Sequence, residues 1–457
     1  MHVHILGICG TFMAGIARLG KARGWRVTGC DAHVYPPMSD QLRDDGITVI
    51  EGYDPAQLQP APDCVIIGNA LSRGNEAVEH TLDNGLPYLS GPEFLARHVL
   101  PRYKVLAVAG THGKTSTSSI LAWLLEAAGL EPGFLIGGIA HNLGVSARAG
   151  NGPFFVVEAD EYDTAFFDKR AKFVHYRPHT LILNNLEYDH ADIYPDMASI
   201  QWQFHQLLRI VPGNSLIIAP REDEHLQQVL QRGCWTPVEY LTRSPAAHGW
   251  YARDISPDTR EFNVAFGDRD FGRVRWGQTG HHNIHNALSA VAAAHHAGID
   301  PPAAIAALAD FKGVKRRLEV IGSGRGITLY DDFAHHPTAI ATTVQGLRGT
   351  VEDGGRIIVI LEPRSNTMRL GVHQQALAPA LSGADAVILY QPPDLPWSLQ
   401  PVAAALPCPA KIYDTIDAIV AHTAQSARTG DRIVIMSNGG FGGIHARLKE
   451  ALFNDDA

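Results

Sequence analysis

Long apolar runs are missing from this sequence. No stretch of about 18 uninterrupted hydrophobic residues occurs, so no membrane-spanning helix is expected. Cysteine is sparse: Cys9, Cys30, Cys64, Cys234 and Cys408 are odd in number, scattered and never spaced as CxxC. That argues against a disulfide framework or structural zinc and fits a reduced, cytoplasmic protein. Positive charge is in deficit, with 38 Lys and Arg against 47 Asp and Glu and a formal net charge of -9. No basic stripe is present, so nucleic acid is not an expected partner. Anionic ligands must be drawn by local cations, not by the overall field. The opening MHVHILG has no basic region and runs straight into a strand, which argues against a secretory leader.

What is present is globular: 457 residues, 45% hydrophobic and 19% charged, enough for about three domains of ~150 residues. The chain turns on Lys104–Gly129, KVLAVAGTHGKTSTSSILAWLLEAAG. Val105–Val108 reads as a short buried strand, Gly110–Gly113 as a glycine-bounded turn, and Ile120, Leu121, Leu124, Leu125 and Ala128 recur at helical spacing. Strand, glycine turn, Gly-Lys-Thr and helix make a phosphate-binding loop, although Val108 stands where the usual pattern opens with Gly. Its bare N–H groups and helix N-terminus favour anions. Gly110, Thr111, His112, Gly113, Lys114, Thr115 and Ser116 are the expected nucleotide residues. Lys114 would reach the β/γ-phosphates, and the Thr115 hydroxyl would hold Mg²⁺.

Upstream, Val3–His33 reads strand, glycine turn, helix, strand. Gly7, Gly10 and the helix from Thr11 offer a second phosphate site, and Asp31 ends the next strand, where a ribose hydroxyl could bind. The GxGxxG fingerprint is broken by Cys9 and Phe12, so an NAD-linked oxidoreductase is a weaker alternative. Ser72 lies in a loop at another strand's carboxyl end. Gly137, Gly138, Asn142 and Gly144 suggest a mobile loop over a substrate.

Two later strands end in acids. FFVVEADEYD delivers Glu158, Asp160, Glu161 and Asp163; TLILNNLEYDH delivers Glu187, Asp189 and His190. Acids at strand ends beside a phosphate loop suit Mg²⁺, with Thr115, Glu158 and His190 the expected ligands. Asn283 and Asn286 head an Ala-rich helix, three apart on one face, and suit an adenine edge. The nearby His281, His282 and His285 read as a helix head, not a metal site. Lys315, Arg316 and Arg317 form a cationic knot at a domain junction, followed by Asp331, Asp332, His335 and His336. Further strands end in EPRSNTMRLG and SNGGFGG, where Arg364 and Arg369 could pair with substrate carboxylates and Asn366 is a further substrate-binding candidate.

These motifs, in this order, resemble the Mur ligases of peptidoglycan synthesis: AGTHGKTS at 109–116, EADE at 158–161, NLEYDH at 185–190, HNIHN at 282–286, KRRLE at 315–319 and DDFAHHPT at 331–338. The resemblance implies an α/β protein of three domains: a Rossmann-like UDP-sugar domain over 1–101, a central P-loop ATPase with a mostly parallel sheet over 102–312, and a Rossmann-like C-terminal peptide domain over 313–457. It implies an ATP- and Mg²⁺-dependent ligase with Lys114, Glu158, His190, Arg317 and Asp332 as catalytic residues. Asn283, Asn286, Arg317 and Asp332 would sit at ATP. Gly7, Cys9, Gly10, Thr11, Phe12, Met13 and Ser72 would hold the UDP-sugar, and Asp31 and Asn142 are further substrate-binding candidates. GTHGKT, EADE and DDFAHHP look like the branch that adds L-alanine to UDP-N-acetylmuramate. EPRSNTMRLG and SNGGFGGIHARL look like the branch whose acceptor is the recovered murein tripeptide L-alanyl-γ-D-glutamyl-meso-diaminopimelate, and that acceptor is the expected one. FDKRAKF after Phe166 lengthens the gap between the Glu158 and His190 motifs. Several family members carry a carbamoylated lysine in the helix after the His motif. By spacing His205 lies there, so that modification is not expected.

Overall fold

A computed structural model describes residues 1–32, 34, 38–244, 248–352 and 354–454. Three sheets occupy successive stretches of chain. The first has five parallel strands in the order Thr48–Glu51, Arg26–Asp31, His2–Leu6, Cys64–Ile67 and Tyr88–Ser90. Its order reverses at His2–Leu6, and ligands bind such sheets at the reversal, outside the carboxyl ends. The turn after Leu6 and the loop after Ile67 meet there: a Cβ on Gly7 would lie 4.0 Å from Gly68 Cα.

The central sheet has ten strands, and its middle sets up the site. Lys104–Ala109 is flanked by Phe154–Glu158 on one side and Thr180–Leu183 on the other, all parallel. Each is a run of aliphatic and aromatic side chains buried on both faces, the pattern of a strand covered by helices front and back. Register pairs Val108 with Glu158 and Ala109 with Leu183, so the phosphate loop and both acidic strand ends emerge side by side. The loop leads into the helix Lys114–Ala127, which packs on the Ala-rich helix His281–His296. Small residues at Ala287, Ala290 and Ala294 let the two backbones approach closely.

The third sheet runs Glu319–Gly324, Ile327–Asp332, Arg432–Met436, Ile357–Leu361, Ala386–Tyr390 and Ala410–Tyr413, with only the first pair antiparallel. The segments after Asp332 and Leu361 reach the central domain, through Thr338 to Glu187 and Thr367 to Asp189.

The glycine segment expected to be mobile is tied down. Asn142 donates to Asp310 O at 2.8 Å and accepts from Lys312 N–H at 2.7 Å. His141 N–H reaches Gly313 O, and Lys315 N–H reaches Ile139 O. Asn142, expected at a substrate, thus spends both ends of its amide on the interdomain linker. No helix among the described residues is long and apolar enough to cross a membrane.

Candidate active site

The phosphate loop is shaped by glycines doing work other residues cannot. Gly113 has φ +78, and a Cβ there would come within 2.5 Å of both Asn184 Nδ2 and Asn286 Oδ1. Those amides brace the loop from behind: Asn184 Nδ2 donates to His112 O and Asn286 Oδ1, and Asn286 Oδ1 also accepts from Thr117. Asn286 is 3% exposed, and its own amide donates to Asn283 Oδ1. The two asparagines do share a face, but Asn286 is largely committed to holding the loop.

Lys114 opens the helix with its ammonium folded back, 2.7 Å from Gly110 O and 2.7 Å from Glu161 Oε2. Burial opposes its charge, yet Glu161, Asp160 and Glu158 more than offset that and raise its pKa. Burial pushes Glu161 the other way, but Lys114 and His190 bring it down to about 2. His190 stands 3.1 Å from the other Glu161 oxygen, at φ +55, a left-handed conformation uncommon for a residue with a Cβ. Such strain is held where surrounding contacts fix the residue, and Asp189 accepts from both His190 N–H and Thr367 of the third domain.

Thr115 Oγ1 donates to Glu158 Oε1 at 2.8 Å, while Gly137 N–H donates to Glu158 Oε2 at 2.6 Å. Burial and the neighbouring Asp160 raise the Glu158 pKa, opposed by Lys114, the Gly137 amide and Arg317. Arg317 crosses from the linker to Thr115 Oγ1 at 2.9 Å, its guanidinium 4.7 Å from the Phe333 ring centroid. Asp332 receives Leu318 and Ala334 N–H groups at 2.7 and 2.8 Å. Burial still lifts its pKa to about 6 against the pull of Arg317.

A hydroxyl and a carboxylate oxygen side by side are hard donors, which fits Mg²⁺; the His190 imidazole is a softer third. Above them lies a cavity of about 720 Å³, lined by Gly113, Ser116, Asn283, Asn286, Arg317 and Asp332 among others. Its size is that of a nucleotide-scale pocket. One further cluster brackets it. His112 Nε2 and Thr338 Oγ1 meet Glu187 Oε2 at 3.1 and 2.6 Å, and His336 Nδ1 lies 3.5 Å from the same oxygen. That carboxylate is already served by its neighbours and links the loop to the third domain.

In the first domain Gly7, Cys9, Gly10, Thr11, Phe12 and Met13 do form one turn and helix start. Asp31 Oδ2 accepts from Cys9 N–H at 2.9 Å, so it fastens the turn as well as facing it. Ser72 is exposed, with its hydroxyl 3.4 Å from Arg73 O. On the third domain Arg364 lies 3.9 Å from Glu362, Arg369 pairs with Asp394 at 2.9 Å, and Asn366 donates to Asp192 across the cleft. His205 has its ring between those of Trp202 and Trp235.

The sequence reading did not assign roles to Glu161, Asn184 or Lys172. The doubled Asn after Leu183 was a signal, since two amides ending a buried strand must find partners. Lys172 gave none.

Residues 2–103 match the Mur ligase family catalytic domain, 108–294 the Mur ligase middle domain, and 316–439 the Mur ligase glutamate ligase domain. The chain is 52% identical over 452 residues to the UDP-N-acetylmuramate–L-alanyl-γ-D-glutamyl-meso-2,6-diaminoheptandioate ligase of Escherichia coli K12, covering 99% of this chain and 98% of that one. A UDP-N-acetylmuramate–L-alanine ligase of Renibacterium salmoninarum is 36% identical over 85% of this chain and 81% of its own length. The crystal structure of a murein peptide ligase from Psychrobacter arcticus superposes with a TM-score of 0.77 at 47% identity, with both chains fully covered. MurC of Thermotoga maritima shares the fold, with a TM-score of 0.82 at 23% identity and 98% of each chain covered.

Proposed function

This chain belongs to the Mur ligase family, and we propose that it joins the lactyl carboxylate of UDP-N-acetylmuramate to the L-alanyl amine of L-alanyl-γ-D-glutamyl-meso-diaminopimelate, using ATP. The observation that carries the reading is the 52% identity, end to end, with a ligase named for that pair of substrates.

A carboxylate is a poor acyl donor. Transfer of the γ-phosphoryl group to a lactyl oxygen gives an acyl phosphate and ADP. The peptide's amine nitrogen then attacks the carbonyl carbon, the C–O bond to phosphate breaks, and the nitrogen sheds a proton. The first step brings anion against anion, so catalysis is positioning and charge neutralisation. Lys114 is the cation at the phosphate loop, and it already sits on a carboxylate that incoming phosphate can replace. Thr115 and Glu158, with His190 beside them, would hold Mg²⁺, which supplies further neutralising charge at the phosphates. Arg317 and Asp332 close the cavity from the third domain's side, keeping water from the acyl phosphate. The turn Gly7–Met13 with Ser72 would hold the UDP-sugar. Arg364, Asn366 and Arg369 would meet the tripeptide's far carboxylates, Arg369 by giving up Asp394.

ADP release with UDP-N-acetylmuramate and a panel of amines tests this. The tripeptide is expected to exceed L-alanine in kcat/KM at least tenfold. Parity, or a preference for L-alanine, would replace the reading with that of the alanine-adding ligase.

A further inference from the structure

The stretch that lengthens the gap between the two acidic strand ends folds as a hairpin, Asp163–Ala165 against Asp168–Ala171. It reaches out of the central domain and docks on the first. Phe166 and Phe167 at its tip pack on the cluster of Leu6, Leu58, Val65, Ile67 and Ala77, and Phe167 lies edge-on to Tyr88 at 5.0 Å. The hairpin returns into Lys172, which is 2% exposed. Its ammonium lies 4.4 Å from the ring centroid of Phe12, 4.1 Å from that of Tyr162, and 3.6 Å from Asp160 Oδ2.

Those partners come from two parts of the site, Phe12 from the first domain and Asp160 and Tyr162 from the acidic strand end of the central one. Phe12 stands at the helix start that would take the sugar nucleotide's diphosphate. Tyr162 precedes the hairpin. Asp160 belongs to the acidic strand end beside Lys114. A buried ammonium is costly unless paired, and two aromatic faces with one carboxylate are what pair this one. Packing alone would be met as well by a methionine.

We propose that Lys172 is a positioning residue for the sugar substrate, its cation fastening the Phe12 end of the UDP-sugar turn to the Asp160 strand end. The lactyl carboxylate is then delivered to the phosphate loop at a fixed distance. The inference rests on the proposed function, which the wild-type enzyme tests by itself through ADP release. If a different carboxylate-bearing sugar nucleotide proves to be the substrate, the KM for that compound is the one to follow.

The variants are Lys172→Met, which keeps length and packing, and Lys172→Arg, which keeps the charge. Lys172→Met is expected to raise the KM for UDP-N-acetylmuramate at least tenfold while the KM for ATP stays within threefold of wild type. Lys172→Arg should recover most of that loss. The proposal is overturned if the Met variant keeps the wild-type sugar KM. It is overturned equally if both KM values rise together, or if Arg is no better than Met. Should the Met variant not fold, Tyr162→Leu removes the aromatic face that is not itself part of the UDP-sugar turn and is expected to raise the same KM. An unchanged sugar KM in that variant also overturns it.

Discussion

At the scale of single residues, the site is a set of buried charges that hold one another. Lys114 and Glu161 illustrate it: side-chain exposures are 10% and 3%, and the contact is 2.7 Å. Lys114→Ala is expected to lower kcat for ADP release by about a thousandfold or more, since the phosphate loop's own cation at the transferring phosphoryl group is lost. It should also lower Tm, because removing one member of a buried pair leaves the other uncompensated, at a cost of up to about 3–5 kcal/mol. Lys114→Met combined with Glu161→Gln separates the two effects: thermal stability returns and turnover does not. If the double variant regained activity, Lys114 would be structural. Lys114, Thr115 and Glu158 were legible in the sequence because a strand, a glycine turn and Gly-Lys-Thr impose their own local geometry. Glu161 stood in plain view among four acids, but which acid takes the lysine depends on how neighbouring strands are registered. Lys172 was illegible for the same reason. Its partners Phe12 and Tyr162 come from two domains, and no local spacing encodes that meeting.

At the scale of elements, the phosphate loop works because something behind it is rigid. Asn184 and Asn286 leave Gly113 no room for a methyl group, and its backbone is left-handed. Gly113→Ala is therefore expected to raise the KM for ATP at least a hundredfold and to destabilise the protein. Gly129 ends the same helix at φ +72 with open space around it. There Ala meets only the backbone penalty of about 1–2 kcal/mol, and ATP binding should be unchanged. Equal effects on ATP at the two positions would mean that the asparagine brace is not what shapes the loop. The strands and helices themselves were readable: buried aliphatic runs gave the strands Lys104–Ala109, Cys64–Ile67 and Arg432–Met436, and Pro337 opens its helix as proline at a first turn does. At Gly137, expected in a mobile loop, glycine also answers a steric demand. Here it permits close approach, since a Cβ on Gly137 would lie 2.9 Å from the Glu158 carboxylate.

At the scale of the molecule, the central and third domains line one cavity and meet through Arg317 to Thr115, Thr338 to Glu187, Thr367 to Asp189 and Asn366 to Asp192, while the hairpin docks on the first domain. The order of domains was readable from the motifs, while this closed arrangement was not, because each link joins residues more than a hundred positions apart or on different sheets. The first domain shares a core cluster with the central one, and its sheet has a titratable weakness. His4 lies inside its central strand, fully buried, with Nδ1 on the Thr28 hydroxyl at 2.8 Å and Nε2 without a hydrogen-bond partner among the described residues. Burial, helped by His2, depresses its pKa to about 4. The unfolded chain takes up this proton near the ordinary value of 6.5 while the folded chain does not, so the stability His4 contributes is complete above 6.5 and is lost as pH falls toward 4. Between pH 7 and pH 5 that loss is about 2 kcal/mol. His4→Leu keeps an apolar side chain in the strand, and Thr28 retains His2 as a partner at 2.9 Å. Urea unfolding of the variant at the two pH values should therefore show a gap smaller than that of wild type by about 2 kcal/mol. An unaltered gap would show that His4 is not the acid-sensitive group.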